Sequence, residues 1–273
     1  MPIMMRTPCH AVMLAALLVL GAPHPAAADW DLSLFVGQAF PTYDDRLVIR
    51  LPDVPPVAGL EIEASGTPEL RADGGPVFGA ALAREFGVLG IEVRLDMTDV
   101  ALELTGVRYD LRFLGPVFGG GARGSLSIGD ARFDADRLRL LSFNARLRTP
   151  GAVSLVASGG LSYLPDFDLA GSIPVQFDIE GVPDSFLAQP ELFLVVVPEQ
   201  SNHRWGVNGG AGLRIGGRIA VFAEARVFYF KEYELSLELE DVQPIVSALL
   251  DEIEPVRFRP LIANAVAGLV FRF

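Results

Sequence analysis

Apolar and polar residues alternate along the last part of the chain. From Leu261 to Phe273 every second residue is apolar, whereas the residues between them include Asn264, Gly268 and Arg272. Because the side chains of a β-strand point alternately to its two faces, this pattern predicts a strand with one wholly apolar face. Strands of about ten residues with an apolar outer face are typical of β-barrels that cross a membrane.

Six upstream segments show the same alternation, and a seventh shows it weakly. The six are WDLSLFVGQAF (30–40), LGIEVRLDM (89–97), LLSFNARLR (140–148), VSLVASGGLSY (153–163), WGVNGGAGLRI (205–215) and RIAVFAEARVFYF (218–230). The seventh, PVFGAALAREF (76–86), has small residues on both faces, so we assign it to the second strand without a facing. With the last strand, these segments predict an all-β fold, an eight-stranded antiparallel up-and-down transmembrane β-barrel.

A soluble antiparallel sandwich also alternates, and two features favour the membrane. Charged residues lie mid-strand opposite the apolar face, among Gly and Ser, as suits a narrow interior that side chains fill. Aromatic residues lie at the strand ends, where a barrel meets the membrane interface. They are Trp30, Tyr163, Trp205, Tyr229 and Phe273.

The connections between these segments alternate in length. Short ones lie around 87–89, 149–152 and 216–217, and long ones cover 41–75, 99–136, 165–203 and 232–259. Short periplasmic turns that alternate with long extracellular loops are typical of outer-membrane barrels. We therefore expect both ends of the barrel chain on the periplasmic side.

The first 28 residues have the layout of an export signal. Arg6 precedes an apolar run from Ala11 to Leu20, and small residues lead up to Asp29. This order is typical of a secretory signal peptide, so we expect residues 1–28 to be removed and residues 29–273 to form the barrel. The single cysteine, Cys9, lies in the segment to be removed, which leaves the expected mature chain without a thiol ligand or nucleophile.

Charge and hydropathy narrow the class of protein further. The net charge of −12 argues against nucleic acid as a partner, since such a partner requires a basic surface. After residue 28 no apolar run reaches the eighteen or so residues of a membrane helix. A closed barrel is the other structure whose backbone can be satisfied in lipid.

Three segments carry a resemblance to a known family. The segment 30–40, the Gly- and aromatic-rich stretch 205–230 and the last strand ending in Phe273 resemble the small OmpA-like and porin-family outer-membrane β-barrel domains. The resemblance covers the strands and none of the loops. It implies an eight-stranded barrel in a Gram-negative outer membrane, and it implies that the barrel-assembly machinery recognises Phe273 as an assembly signal.

Charged residues on the polar faces of these strands form a candidate lumen charge network. Its members are Asp31, Glu92, Arg94, Asp96, Arg146, Arg214, Glu224, Arg226 and Arg272. Buried charges must pair, because an isolated one is very costly. Either the pairs plug a closed barrel or they line a narrow, gated ion path. We favour the plug, since eight strands leave an interior only wide enough for side chains.

Ser201 and His203 raise the possibility of an enzyme. Some small outer-membrane barrels act on lipid A through a Ser–His pair, and on a strand these two residues would share a face. In the lipid A deacylases used for comparison, however, the histidine precedes the serine, whereas the order here is SNH. We therefore assign no catalytic residues and expect a protein that is not an enzyme.

The long connections carry weaker signals. They are acidic but lack the spacing of a calcium loop, so we expect no metal and no cofactor. Apolar residues recur at helical spacing from Val242 to Ile253, which predicts a short helix capped by Asp241. Alternation in 100–113, 131–140 and 233–239 predicts that strands continue beyond the membrane. The run LFLVVV (192–197) leaves open a further membrane hairpin and a barrel of ten or more strands.

Together these patterns predict an integral outer-membrane barrel with a structural or surface-interaction role. Its expected partners are outer-membrane lipid, lipopolysaccharide and, during biogenesis, the barrel-assembly machinery. Two alternatives stay open: a narrow channel for small or hydrophobic solutes, and a lipid A-modifying enzyme. The sequence does not indicate an oligomeric state.

Overall fold

The computed structural model describes residues 29–42, 44–46, 60–64, 69–113, 122–165, 167, 169–180, 191–196, 203–239 and 256–273. The strands are β1 (Asp29–Pro41), β2 (Asp44–Arg46), β3 (Leu60–Ala64), β4 (Glu69–Phe86), β5 (Leu89–Thr105), β6 (Val107–Phe113), β7 (Ala122–Ile128), β8 (Ala131–Arg148), β9 (Val153–Leu164), β10 (Leu169–Ala170), β11 (Ser172–Ile179), β12 (Glu191–Val196), β13 (Arg204–Gly216), β14 (Ile219–Phe230), β15 (Tyr233–Leu239), β16 (Val256–Phe258) and β17 (Leu261–Arg272). No helix among the described residues is long and apolar enough to span a membrane. The expected signal peptide and the predicted helix at 241–253 lie outside the described residues.

Eight of these strands form a closed antiparallel barrel. In chain order they are β1, β4, β5, β8, β9, β13, β14 and β17, and each pairs with the next. The last pairs with the first, so that Leu34 of β1 lies opposite both Leu269 of β17 and Ala80 of β4. The prediction of an eight-stranded antiparallel barrel is confirmed.

Tight turns close one end of the barrel, which we name the turn end. Positive φ angles at Gly87 (78°) and Gly151 (114°) lie in two of these turns, and Gly216 (137°) leads into the third. Glycine suits such positions because it has no Cβ to clash in the left-handed region. Asp29 and Phe273 lie at the same end, because Trp30 and Phe273 exchange two backbone hydrogen bonds of 3.0 Å. We name the opposite end the loop end.

An apolar band surrounds the turn-end half of the barrel. On β5 the outward residues from Leu89 to Met97 are apolar, and those up to Leu95 are exposed. At about 3.3 Å per residue and a tilt of about 40°, this stretch gives a height of roughly 20 Å. That height is close to the roughly 25 Å apolar band of membrane barrels.

Beyond the band, toward the loop end, β4, β5 and β8 continue, and charged residues replace the apolar ones on their outer surface. Arg132 of β8 lies on the outside, where it forms ion pairs with Asp73 of β4 (3.2 Å), Glu103 of β5 (2.5 Å) and Asp134 (3.0 Å). The register shifts between Gly74 and Val77 on β4, and again opposite Thr98 and Val100 of β5. The predicted continuation of the strands therefore begins at these irregularities.

The long connections build a second sheet at the loop end. Its seven strands run in the order β16-β15-β12-β11-β7-β6-β3, and together they come from all four long connections. The run 192–197 falls largely in β12, which pairs with β11 and β15 of this second sheet. The alternative of a further membrane hairpin is therefore wrong.

Two different layers fill the barrel interior. Polar and charged side chains fill the turn-end half, whereas apolar side chains pack in the loop-end half. The apolar layer includes Leu102, Phe133, Leu140, Phe228 and Phe230, all with 0% exposure. The sequence pattern does not predict this layer, because near the loop end both faces of β14 are apolar and no alternation marks the inner one.

Candidate functional site

All nine residues of the candidate lumen charge network point into the turn-end half of the interior. They come from β1 (Asp31), β5 (Glu92, Arg94, Asp96), β8 (Arg146), β13 (Arg214), β14 (Glu224, Arg226) and β17 (Arg272). The flanking residues on each strand face outward and are mostly apolar, so lipid-facing neighbours fix the inward direction of the charges. The structure joins these nine residues through ion pairs into two connected groups.

The first group surrounds Asp31 near the turn end. This carboxylate is fully buried, and it accepts hydrogen bonds from Arg214 of β13 and from Arg272 Nε of β17 at 3.0 Å. Arg272 Nη2 also donates to Glu85 of β4 at 2.7 Å. Asp31 and Glu85 thus tie the closing strands β17, β1 and β4 to β13 across the barrel.

Arg94 organises the second group from the middle of β5. Its Nε and Nη2 donate to the two carboxylate oxygens of Asp96 at 2.8 and 3.0 Å. Its Nη1 donates to Glu224 Oε1 on β14 at 2.8 Å, and its guanidinium lies 4.0 Å from the ring centroid of Phe35. A guanidinium with two carboxylate partners and an aromatic face is well compensated for its burial.

Arg226 links the same group to the opposite wall. Its Nε donates to Glu224 at 2.8 Å, its Nη2 donates to Glu92 at 3.2 Å, and its Nη1 donates to Asn208 of β13. Asn208 donates in turn to Asn144 of β8 at 2.9 Å. The central charges are therefore held from β5, β8, β13 and β14 together.

Polar residues extend the network without adding charge. Asn144 donates to Glu92 at 3.0 Å, Asn208 donates to Ser162 at 2.9 Å, and the hydroxyls of Ser142 and Ser162 are 2.8 Å apart. Small polar side chains suit this place, because the long arginines of the facing strands already occupy the middle of a narrow barrel.

The network has two further charged members, Glu85 and Arg148, that the sequence pattern does not indicate. Glu85 lies on β4, whose small residues on both faces gave no facing. Arg148 ends the alternating segment 140–148 but is not among the nine candidates. It lies 2.5 Å from Glu85 through Nη1 and 3.8 Å from Asp31. Their pairing joins β8 to β4 across the lumen, which a strand-by-strand alternation cannot reveal.

The buried charges stabilise the barrel only when their ion-pair partners are all present. Moving each charge from water into the barrel carries a penalty of several kcal/mol, and mutual attraction with full hydrogen bonding offsets it. Loss of one partner leaves the other buried and unpaired, which costs about 3–5 kcal/mol in comparable sites. The network therefore rigidifies the turn-end half of the interior.

His203 and Phe273 occupy exposed positions at opposite ends of the barrel. The His203 ring lies 6.1 Å from that of Tyr163, which in turn lies 4.8 Å from that of Trp205. Ser201 lies outside the described residues, so the Ser201–His203 pair stays a hypothesis. Phe273 at the turn end is 67% exposed. In the described part of the chain no group of three or more His, Cys, Asp or Glu could hold a metal ion.

Comparisons with known proteins bear on the fold only. No family model and no curated protein matches the chain. The outer membrane protein OprG from Pseudomonas aeruginosa is similar in structure, with a TM-score of 0.44 and 12% identity over 90% of this chain and 96% of that one. The attachment invasion locus protein Ail of Yersinia pestis has a TM-score of 0.27 and 14% identity, over 89% of this chain and 99% of that one.

A third solved structure is the translocator domain of the autotransporter NalP from Neisseria meningitidis. It has a TM-score of 0.24 and 14% identity, over 97% of this chain and 96% of that one. The fold assignment itself rests on the strand pairing of this chain. Eight closed strands, an apolar outer band and a polar layer inside are the architecture of the small outer-membrane β-barrels.

Proposed function

We propose that this chain is an integral outer-membrane protein with a structural or surface-interaction role, and that its barrel does not conduct. The filled interior is the observation that carries the proposal. An ion would have to pass both the ion-pair network and the apolar layer around Phe228 and Phe230. An apolar layer opposes a charge strongly, because its side chains cannot replace the hydration shell.

The outer surface supports a membrane location. Val36, Leu155, Leu161 and Val221 are each more than half exposed on the outer face of the barrel. A soluble protein rarely exposes so continuous an apolar surface, whereas lipid requires one. Tyr163 and Trp205 lie next to each other at the loop-end rim of this surface, where aromatic residues meet the interface.

The two ends of the barrel support an assignment of sides. Tight turns and both chain ends lie at the turn end, which we assign to the periplasm. The second sheet at the loop end is then extracellular, beside lipopolysaccharide. Its strands pair from one long connection to the next, so they present an ordered surface for an external partner.

A channel would require a continuous water-filled path through the barrel. The arginines along the lumen are the feature that would favour such a path. Arg94 and Arg226 each make at least three hydrogen bonds to fixed partners, including carboxylates. A side chain held in this way cannot move aside without leaving buried charges unpaired. We therefore retain the plugged barrel as the proposed function.

Single-channel conductance in planar bilayers tests the proposal directly. The protein is purified folded from membranes, and a shift in gel mobility on boiling shows that the barrel is intact. We expect a heat-modifiable band and no steady conductance. Steady conductance that changes when Arg226 or Glu224 is neutralised would overturn the plugged barrel and make this protein a channel.

Cysteine labelling in intact cells tests the sides of the membrane. Thr105→Cys lies on the exposed outer face above the band, and Gly217→Cys lies in a turn where an added Cβ has no neighbour within 4 Å. We expect an impermeant maleimide to label the first variant in intact cells and the second only after the outer membrane is breached. The unsubstituted protein controls for Cys9. The reverse labelling would contradict the assignment of sides.

A further inference from the structure

One arginine interrupts the apolar outer face of the barrel. On β4 the two neighbours of Arg84, Ala83 and Glu85, are buried in the interior, so Arg84 itself faces outward. From the turn end up to the level of Leu95, Arg84 is the only charged residue among the outward residues that the structure describes on the eight barrel strands. A charged side chain that faces lipid is rare and marks a candidate functional position.

Arg84 lies near the turn-end edge of the apolar band. It is directly opposite Trp30 of β1 and Ile91 of β5. Phe86, the last residue of β4, follows it on the same face. Two residues of a strand tilted by about 40° rise by roughly 5 Å, which sets the depth of Arg84 inside the band. From this depth a long cationic side chain can bring its charged end to the polar interface while its stem stays in the band.

Two aromatic rings direct the guanidinium of Arg84 toward that edge. Its central carbon lies 5.4 Å from the ring centroid of Trp30 and 5.3 Å from that of Phe86. Both distances are within the limit of about 6 Å for a cation–π contact. Because Phe86 lies on the turn-end side of Arg84, these contacts hold the charged group near the membrane interface and away from the middle of the bilayer.

A third aromatic residue extends this surface across the seam where the barrel closes. Trp30 and Phe273 exchange two backbone hydrogen bonds of 3.0 Å, which join the first barrel strand to the last. The side chains of Phe273 and Phe86 are 67% and 53% exposed. The outer surface at the seam thus offers one positive charge with large apolar side chains around it. A ligand that fits it has an anionic group next to hydrocarbon chains.

We propose that Arg84 binds the phosphate group of one phospholipid of the periplasmic leaflet, whose acyl chains pack beside Trp30 and Phe86. Phosphate is the anionic group that a bilayer places at its interface, and the guanidinium fork of arginine matches it with two parallel donors. This site rests on the proposed membrane location and on the assignment of the turn end to the periplasm. The bound lipid would cover the seam between the first and last strands.

Quenching of Trp30 fluorescence tests the site on the full folded protein in detergent micelles. The chain has two tryptophans, so Trp205→Phe leaves Trp30 as the reporter. The protein is titrated with phosphatidylglycerol that carries bromine on its acyl chains. We expect quenching that saturates and that unbrominated phosphatidylglycerol reverses. A diacylglycerol with the same chains, which lacks the phosphate, should not reverse it.

Two further variants in the Trp205→Phe background assign the binding to Arg84. Arg84→Gln should raise the lipid concentration for half-quenching about tenfold or more, because the charge-assisted bonds to the phosphate are lost. Arg71→Gln removes an exposed arginine of the same strand beyond the band and should leave that concentration unchanged. A heat-modifiable band shows that each variant is folded. Should Arg84→Gln fail to fold, crystals of the unsubstituted protein grown with phosphatidylglycerol decide the question, through a phosphate within hydrogen-bond distance of Arg84.

Equal half-quenching in the Arg84→Gln and Arg71→Gln variants, reversal by diacylglycerol, or crystals without a phosphate at Arg84 would overturn the phospholipid site. Tighter competition by lipopolysaccharide than by phosphatidylglycerol would also overturn it, because the ligand would then be a lipid of the other leaflet. These titrations measure neither conductance nor the labelling of cells. A barrel without the lipid site can still be non-conducting and correctly oriented, so the two proposals fail separately.

Discussion

Arg94 and Asp96, two residues apart on the inner face of β5, form a two-point ion pair with bonds of 2.8 and 3.0 Å. Both side chains are almost fully buried, at 1% and 0% exposure. Because residues i and i+2 of a strand share a face, a single strand positions both partners. The pair therefore requires only the extended conformation of β5 and no pairing across the lumen.

Removing one partner of this pair should destabilise the barrel strongly. Asp96→Ala leaves Arg94 buried with Glu224 as its remaining carboxylate partner, and we expect the free energy of unfolding to fall by about 3 kcal/mol or more. A urea titration of the folded protein in vesicles measures the loss. Glu69→Ala, which removes the exposed pair of Arg71 and Glu69, is the matched control and should cost less than about 1 kcal/mol. Equal losses would show that burial does not govern the pair.

Neutralising the central charges should not open the barrel. In the double variant Glu224→Gln with Arg226→Gln, the apolar layer around Phe228 and Phe230 still fills the loop-end half of the interior. We expect a folded, heat-modifiable protein without steady conductance in planar bilayers. If the double variant conducts and the unsubstituted protein does not, the apolar layer does not seal the barrel.

A charged residue on the lipid-facing side should lower the free energy of unfolding strongly inside the apolar band. Beyond the band, toward the loop end, it should lower that free energy only slightly. Val93 lies on the outer face of β5 near mid-height of the band, whereas Thr105 lies on the same strand above the register shift. We expect Val93→Arg to cost about 2–4 kcal/mol, since arginine near the bilayer midplane is unfavourable. Thr105→Arg should stay within about 0.5 kcal/mol.

Unfolding titrations in lipid vesicles compare these two variants. Similar costs for both would contradict the placement of the membrane around the turn-end half of the barrel.

The terminal aromatic side chain should matter for assembly more than for stability. Phe273 contributes two backbone hydrogen bonds to Trp30, while its side chain is exposed. Phe273→Ala keeps the backbone bonds, so we expect its unfolding midpoint to change little. We expect less heat-modifiable protein in the outer membrane of cells, because the assembly machinery would lose its signal. Phe86→Ala, at another exposed aromatic of the turn end, is the control. Normal assembly of Phe273→Ala would show that Phe273 is not the assembly signal.

Local alternation was enough to predict the barrel strands, because lipid on one side and a narrow lumen on the other impose a period of two. It could not predict the facing of β4, where Ala80, Ala81 and Ala83 are small enough for either side. It also could not reveal the apolar layer, since Val227 to Phe230 are apolar throughout and only closure of the barrel places Phe228 and Phe230 inside.

Pairing across the lumen lies beyond any strand-by-strand pattern. The bond between Arg272 and Glu85 joins residues 187 positions apart in the chain, and it requires the register of β17, β1 and β4 together. The continuation of strands beyond the band was visible in the alternation of 100–113, 131–140 and 233–239. The order in which the long connections pair was not, because it depends on which of them the barrel brings side by side.

The register shifts on β4 and β8 determine which changes in chain length this protein can accept. On β4 the inward residues are odd-numbered from Glu85 to Val77, but above Gly74–Pro76 the buried residue is Leu70. Each shift adds one residue and so reverses the facing of everything beyond it. Deleting a single residue at 75 or 76 would remove the shift and keep Leu70 inside and Arg71 and Asp73 outside, whereas deleting both would turn Arg71 and Asp73 into the apolar layer. The irregularities on β4 and β8 are therefore the places where the barrel can lose one residue without reversing the facing of the strand beyond.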